Sequence, residues 1–217
     1  MTKLSGPMLM PRDGAPTQIV VLLHGYGADG SDLINLGSYW RDILPGAIFV
    51  APDAPTTCRD NPGGYEWFPL DFDSPSVGFE NAPAAAPVVE EFLLDLWRQT
   101  GLTAGQTILG GFSQGAMMAL HVGLKLPTPP LAILSFSGAL VAPAGLAEMT
   151  RPKPPVCLVH GDRDPVVDCD LSAQANAALL ALGYDVDFHI EPGAPHTITP
   201  DGLDFAARFL SDRLHPA

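Results

Sequence analysis

Short apolar runs alternate along this chain with longer segments in which apolar residues recur every three or four positions, the pattern of parallel βαβ units. The runs predict strands at 18–23, 47–51, 106–110, 131–136, 155–160 and 185–190. Unbroken apolar strands are expected where helices cover both faces of a sheet. The last run alternates instead, with Val186, Phe188 and Ile190 on one side and Asp185, Asp187 and His189 on the other, so it belongs at an edge. Helical stripes appear in Val88, Val89, Phe92, Leu93, Leu96 and Trp97, closed by Gly101, and in Leu171, Ala175, Ala178, Leu179 and Leu182, closed by Gly183. A third, Leu203, Ala207, Leu210 and Leu214, follows Pro200 and Asp201, and Ser31 is a candidate cap for a further helix running toward Pro45.

Two stretches carry no period. Positions 52–83 are dominated by Pro, Gly, Asn and Asp, and a loop of that length inside a compact domain is usually functional. The proline-rich stretch 141–155 is too short for a separate cap domain, so the face it borders should be open. With 217 residues and no repeat, the expectation is one domain spanning 1–217.

Charge and composition narrow the partners. Asp and Glu number 24 against 11 Lys and Arg, a formal charge of −13 without a basic stripe, which argues against nucleic acid and against an anionic membrane surface. No apolar run approaches the ~20 residues of a membrane span. Residues 1–11 lack the apolar block of a secretory leader, so the cytoplasm is the expected compartment. Cys58, Cys157 and Cys169 are odd in number and have no C-x-x-C spacing, as suits reduced thiols without a chemical role.

The chemistry concentrates at Gly111-Phe112-Ser113-Gln114-Gly115, which follows the strand 106–110 and leads into a helical segment, 116–125. A strand-to-helix turn of this kind is so tight that the residues two before and two after the serine must be nearly free of side chain. Glycine at 111 and 115 meets that demand and leaves the hydroxyl at a helix N-terminus, whose dipole favours developing negative charge. The bland alternative is a Gly-rich turn in which Ser113 only caps the helix. A serine nucleophile needs a base with a pKa near neutrality. Of six histidines, His196 stands in the turn Glu191-Pro192-Gly193-Ala194-Pro195-His196, between the last strand and the last helix, where a base would overhang the strand ends. The orienting acid should fall between serine and histidine. Asp162 and Asp164, in the loop after the strand 155–160, are the candidates on the same side of the sheet; Asp162, beside Gly161, reads more as a turn residue, a modest reason to favour Asp164. The backbone N–H of Gln114 is one oxyanion donor by geometry, and a second should come from the loop within Leu22-Leu23-His24-Gly25-Tyr26-Gly27.

That loop also satisfies a dinucleotide fingerprint, Gly25-x-Gly27-x-x-Gly30, with Asp53 after the second strand in place of the ribose-binding acid. This rival reading leaves Ser113, Asp164 and His196 without a purpose. No pair of histidines has zinc spacing and Asp162-x-Asp164 lacks the later ligands of a calcium loop, so no metal and no cofactor is expected.

Taken together, Leu-His-Gly-Tyr-Gly-Ala-Asp-Gly at 23–30, Gly-Gly-Phe-Ser-Gln-Gly-Ala at 110–116, His-Gly-Asp-Arg-Asp-Pro-Val-Val at 160–167 and Gly-Ala-Pro-His at 193–196 resemble the phospholipase/carboxylesterase family, and the likeness runs over nearly the whole chain. The resemblance implies an α/β-hydrolase fold with a mostly parallel central sheet, helices on both faces and no cap domain. It implies a carboxylesterase-type serine hydrolase acting on a small-molecule ester, with Ser113 as nucleophile, Asp164 as acid, His196 as base, and the N–H groups of Leu23 and Gln114 as oxyanion hole. A thioesterase or lysophospholipase would share the chemistry, and a non-catalytic binding module would share the fold. The segment Gly64-Tyr65-Glu66-Trp67-Phe68-Pro69 looks more like the bacterial esterase branch than the eukaryotic thioesterases. Trp67, Phe68, Phe72 and Phe79 are candidates to line the acyl site, or else to anchor the loop to the core. A homodimer is compatible with the sequence.

Overall fold

The computed structural model describes residues 3–70 and 78–214. Its strands are β1 (Met8–Leu9), β2 (Gln18–Leu23), β3 (Ala47–Val50), β4 (Thr56–Thr57), β5 (Tyr65–Glu66), β6 (Thr107–Phe112), β7 (Ala132–Phe136), β8 (Val156–Gly161) and β9 (Val186–Glu191). Its helices are α1 (Gly30–Trp40), α2 (Ala82–Thr100), α3 (Gln114–Lys125), α4 (Cys169–Ala181) and α5 (Pro200–Leu214). Seven strands form one sheet in the order β1-β3-β2-β6-β7-β8-β9, parallel except for the antiparallel edge β1.

Alternation along the central strands divides the core in two. In β2, Ile19, Val21 and Leu23 join a cluster with Val89 and Leu93 of α2, Met118 and Val122 of α3 and Ala175 and Leu179 of α4. Val20 and Leu22 face the other way, into a cluster with Leu33, Ile34 and Trp40 of α1 and Leu203, Ala206 and Phe209 of α5. Both faces are therefore covered, which is why these strands read as unbroken apolar runs. The edge strand β9 keeps its alternation: Val186 and Phe188 pack on the first cluster, while His189 stacks on Phe205 of α5 with ring centroids 4.8 Å apart.

The sequence reading departs from the structure in three places. Ser31 does not cap α1; Asp29 does, its carboxylate accepting the Ser31 N–H at 2.7 Å. The aperiodic stretch 52–83 contains the hairpin β4–β5, whose two-residue strands are too short to show an alternation, and it runs into the start of α2. The strand β1 was unforeseen for the same reason. The stretch 141–155 carries neither helix nor strand. Among the described residues no helix is long and apolar enough to cross a membrane.

Candidate active site

Ser113 joins β6 to α3 at φ 53° and ψ −120°, a conformation that a non-glycine residue rarely holds. Packing forces it. A Cβ on Gly115 would lie 1.9 Å from the Leu23 carbonyl oxygen, and one on Gly111 would lie 2.4 Å from the Gly115 carbonyl carbon, so α3 starts pressed against the ends of β2 and β6. The Ser113 N–H is held by the Phe136 carbonyl at 2.9 Å. Its hydroxyl makes no capping bond to α3, so this serine is not a side-chain cap.

Asp164 and His196 reach the same edge through two loops sewn together. Asp162 N–H bonds the Glu191 carbonyl at 3.1 Å and Arg163 N–H bonds the Ala194 carbonyl at 3.0 Å. Asp162 Oδ1 accepts the Gly193 N–H at 2.6 Å, so this aspartate fastens the histidine-bearing loop and does not touch His196. A Cβ on Gly161 would sit 2.2 Å from the Ala194 carbonyl oxygen; only glycine lets the loops approach this closely.

Asp164 is the aspartate that meets His196. Its Oδ2 lies 2.6 Å from His196 Nδ1, while Oδ1 accepts the N–H groups of Val166 and Val167 at 2.8 and 2.9 Å. Burial alone would push this carboxyl up. The hydrogen bonds from His196, Val167 and Val166 outweigh it, and the carboxyl stays below its ordinary range. An ionised Asp164 fixes the proton on His196 Nδ1 and leaves Nε2 as the acceptor. The imidazole leans on Phe112 with ring centroids 4.7 Å apart. Its side chain is 16% exposed, against 0% for Asp164, so His196 reaches the surface and Asp164 does not.

Sequence reasoning missed a second histidine. His160 Nε2 lies 3.1 Å from the same Asp164 Oδ2 and 2.9 Å from the Val167 carbonyl, and its Nδ1 lies 2.6 Å from Ser172 Oγ. Two acceptors at Nε2 place a proton there. The ring is wholly buried. Only its position at the end of β8, four residues before Asp164, could have pointed to it.

Ser113 and His196 line one cavity of about 710 Å³, with Gly25, Tyr26, Asp32, Asp168 and Thr197 and apolar walls that include Leu33, Leu36, Leu70, Phe79, Met117 and Leu171. Among the described residues the Ser113 hydroxyl and His196 share this wall without a hydrogen bond between them; such bonds often tighten only when substrate binds. Phe79 lines the cavity. Trp67 and Phe68 do not: they are buried in the core, where Gln114 clamps them, its Oε1 accepting the Trp67 N–H at 2.9 Å and its Nε2 donating to the Phe68 carbonyl at 2.7 Å. Trp67 Nε1 also donates to the His24 carbonyl at 2.9 Å. These two aromatics anchor their loop. Phe72 lies outside the described residues. The walls at Phe112 and Met117, next to Ser113 and one helical turn beyond it, could have been read from the elbow itself.

Of the oxyanion candidates, Gln114 opens α3, so its N–H is one of the donors without an intrahelical partner. Leu23 is wholly buried within β2 and is not part of the cavity wall, whereas Gly25 and Tyr26, past the strand end, are. That placement favours the loop past the strand end over Leu23 as the source of a second donor. The dinucleotide reading fails on its acid: the Asp53 carboxylate accepts the Gly30 N–H at 2.9 Å and, with Asp29, already occupies the N-terminus of α1 where a pyrophosphate would sit.

Comparison with known proteins agrees with this architecture. The family model described as Phospholipase/Carboxylesterase matches residues 6–214. Acyl-protein thioesterase 1 of Neurospora crassa is 30% identical over 96% of this chain and 91% of its own, and esterase YpfH of Escherichia coli is 28% identical over 91% and 84%. The crystal structure of esterase PE8 superposes with a TM-score of 0.93 at 54% identity, covering 97% of this chain and 99% of that one. The chain therefore belongs to the phospholipase/carboxylesterase family and is a serine hydrolase of the α/β-hydrolase fold.

Proposed function

We propose that the protein hydrolyses carboxylic esters with Ser113 as nucleophile, His196 as general base and Asp164 as the group that orients the base. The observation that carries this is the His196 Nδ1 to Asp164 Oδ2 bond of 2.6 Å, with Ser113 and His196 facing one largely apolar cavity. His196 Nε2 takes the hydroxyl proton as Ser113 Oγ attacks the ester carbonyl. The tetrahedral oxyanion is met by the Gln114 N–H and by a second N–H from the loop past β2, for which Tyr26, on the cavity wall, is the best-situated residue. The protonated imidazole then gives its proton to the departing alkoxide, leaving an acyl-serine and a free alcohol. Water, deprotonated by the same nitrogen, attacks the acyl-serine; the acid leaves and Ser113 recovers its proton. Every proton is handled by His196, so no cofactor enters.

Two relatives named acyl-protein thioesterase, from Neurospora crassa and Saccharomyces cerevisiae, favour a second reading in which the scissile bond is a thioester. The acyl half of the reaction is the same, so matched butyrate esters and thioesters decide between leaving groups. For either, Ser113→Ala should abolish turnover of p-nitrophenyl butyrate with the thermal midpoint retained. Activity within tenfold of the parent would overturn the assignment.

A further inference from the structure

The cavity that holds Ser113 and His196 carries charge of one sign. Among the described residues lining it, the side chains of fixed charge are Asp32 and Asp168, and none is Lys or Arg. Residues 71–77, outside the described set, contain no Lys or Arg in sequence either. Asp32 stands in the first turn of α1, and Asp168 is held in place as the cap of α4, its Oδ1 accepting the Asp170 N–H at 3.0 Å. Both are exposed, and neither belongs to an ion pair among the described residues. Among the described residues, four arginines are ion-paired away from this cavity: Arg12 with Asp42, Arg59 with Asp60, Arg98 with Asp95, and Arg213 with Asp185 and Asp187. A low-dielectric apolar wall beside uncompensated carboxylates focuses a negative potential into the cleft.

We propose that Asp32 and Asp168 make this cavity a selector of substrate charge: it favours esters bearing a cationic group over neutral esters of the same shape, and discriminates against esters bearing an anion. The inference rests on the reading of Ser113 as nucleophile. Its consequence is that phosphate-bearing acyl donors, such as acyl-CoA thioesters or anionic lysolipids, are poor substrates. A cationic or neutral acyl ester is the class that fits.

The test compares three butyrate esters of similar size in a pH-stat at pH 8, where each turnover releases one proton: choline butyrate, its uncharged isostere 3,3-dimethylbutyl butyrate, and 3-sulfopropyl butyrate. At low ionic strength the parent should show kcat/KM about fivefold higher for the choline ester than for the isostere, and about fivefold lower for the sulfonate, the scale of two partly solvated charge contacts. The double variant Asp32→Asn/Asp168→Asn, in which Asn keeps the cap of α4, should bring both ratios toward one, as should 0.5 M salt. Asp13→Asn/Asp212→Asn removes the same net charge at exposed positions off the cavity wall and should leave the parental ratios. Equal kcat/KM for the three esters in the parent, with Ser113 still labelled by a fluorophosphonate, overturns the inference alone. Ratios that change equally in the control variant overturn it too, by tracing selectivity to net charge. Failure of the parent to turn over any ester or to label at Ser113 overturns the nucleophile reading, and the inference with it.

Discussion

Replacing His160 separates orientation of Asp164 from simple burial. Asp164 Oδ2 is shared by His196 Nδ1 at 2.6 Å and His160 Nε2 at 3.1 Å, and the other oxygen is held by two backbone N–H groups. His160→Ala removes one donor to an ionised, buried carboxylate, and a hydrogen bond to a charged group is worth about 1.5–3 kcal/mol. Because His196 becomes an imidazolium beside Asp164 only in the transition state, a carboxylate free to turn loses stabilisation where it counts. If the whole bond is expressed there, kcat falls about tenfold to a hundredfold, since ~1.4 kcal/mol is a factor of ten. KM should hold, because His160 is not part of the cavity wall. His160→Gln, whose amide can donate along a similar direction, should recover most of the rate. Stopped-flow or steady-state kinetics with p-nitrophenyl butyrate, read beside thermal unfolding, give the answer. A folded His160→Ala enzyme with kcat within twofold of the parent would refute the reasoning and leave His160 a packing residue.

Three further outcomes follow from the same geometry. Gly115→Ala puts a methyl carbon 1.9 Å from the Leu23 carbonyl oxygen, where backbone meets backbone, and should cost about 3 kcal/mol or more in urea unfolding; a cost below 1 kcal/mol contradicts the elbow packing. Gln114→Ala strands the Trp67 N–H and Phe68 carbonyl, so stability should drop by about 2–4 kcal/mol and amide exchange should rise across 65–69; unchanged exchange there would refute the clamp. Burial lowers the pKa of His24 and of His121 below its ordinary value, despite their bonds to the Gly25 and Val141 carbonyls. The unfolded chain therefore takes up protons first as pH falls below ~6.5, and stability present above that pH is lost through the lowered folded values. Asp164, also lowered, keeps its contribution until below ~4 and then loses it. Urea midpoints that stay flat or rise between pH 8 and pH 5 would contradict this.

The sheet was legible because its central strands are buried on both faces and write themselves as apolar runs, and β9 because an edge strand alternates. The elbow was legible because its glycines are demanded by contacts a Cβ cannot survive. What stayed hidden depends on distances across the sheet. The hairpin β4–β5 is too short for a period, and the choice between substrate wall and loop anchor stayed open for Trp67 and Phe68 because an aromatic in a loop carries no sign of where Gln114 will hold it. Residue order left Asp162 and Asp164 nearly equivalent; the two are separated by Asp162 spending its carboxylate on the Gly193 N–H while Asp164 meets His196. Leu23 and Tyr26 stand on either side of the strand end, a boundary the motif does not mark. The tautomer of His24 is similar: its Nε2 must accept because Ala54 N–H, 2.9 Å away, can only donate.

Labelling with a fluorophosphonate followed by peptide mapping asks directly whether Ser113 is an activated nucleophile. The account predicts one adduct, on the peptide containing Ser113, absent from Ser113→Ala and slowed by orders of magnitude in His196→Ala. A folded parent that takes no label, or carries it on another residue, would contradict it.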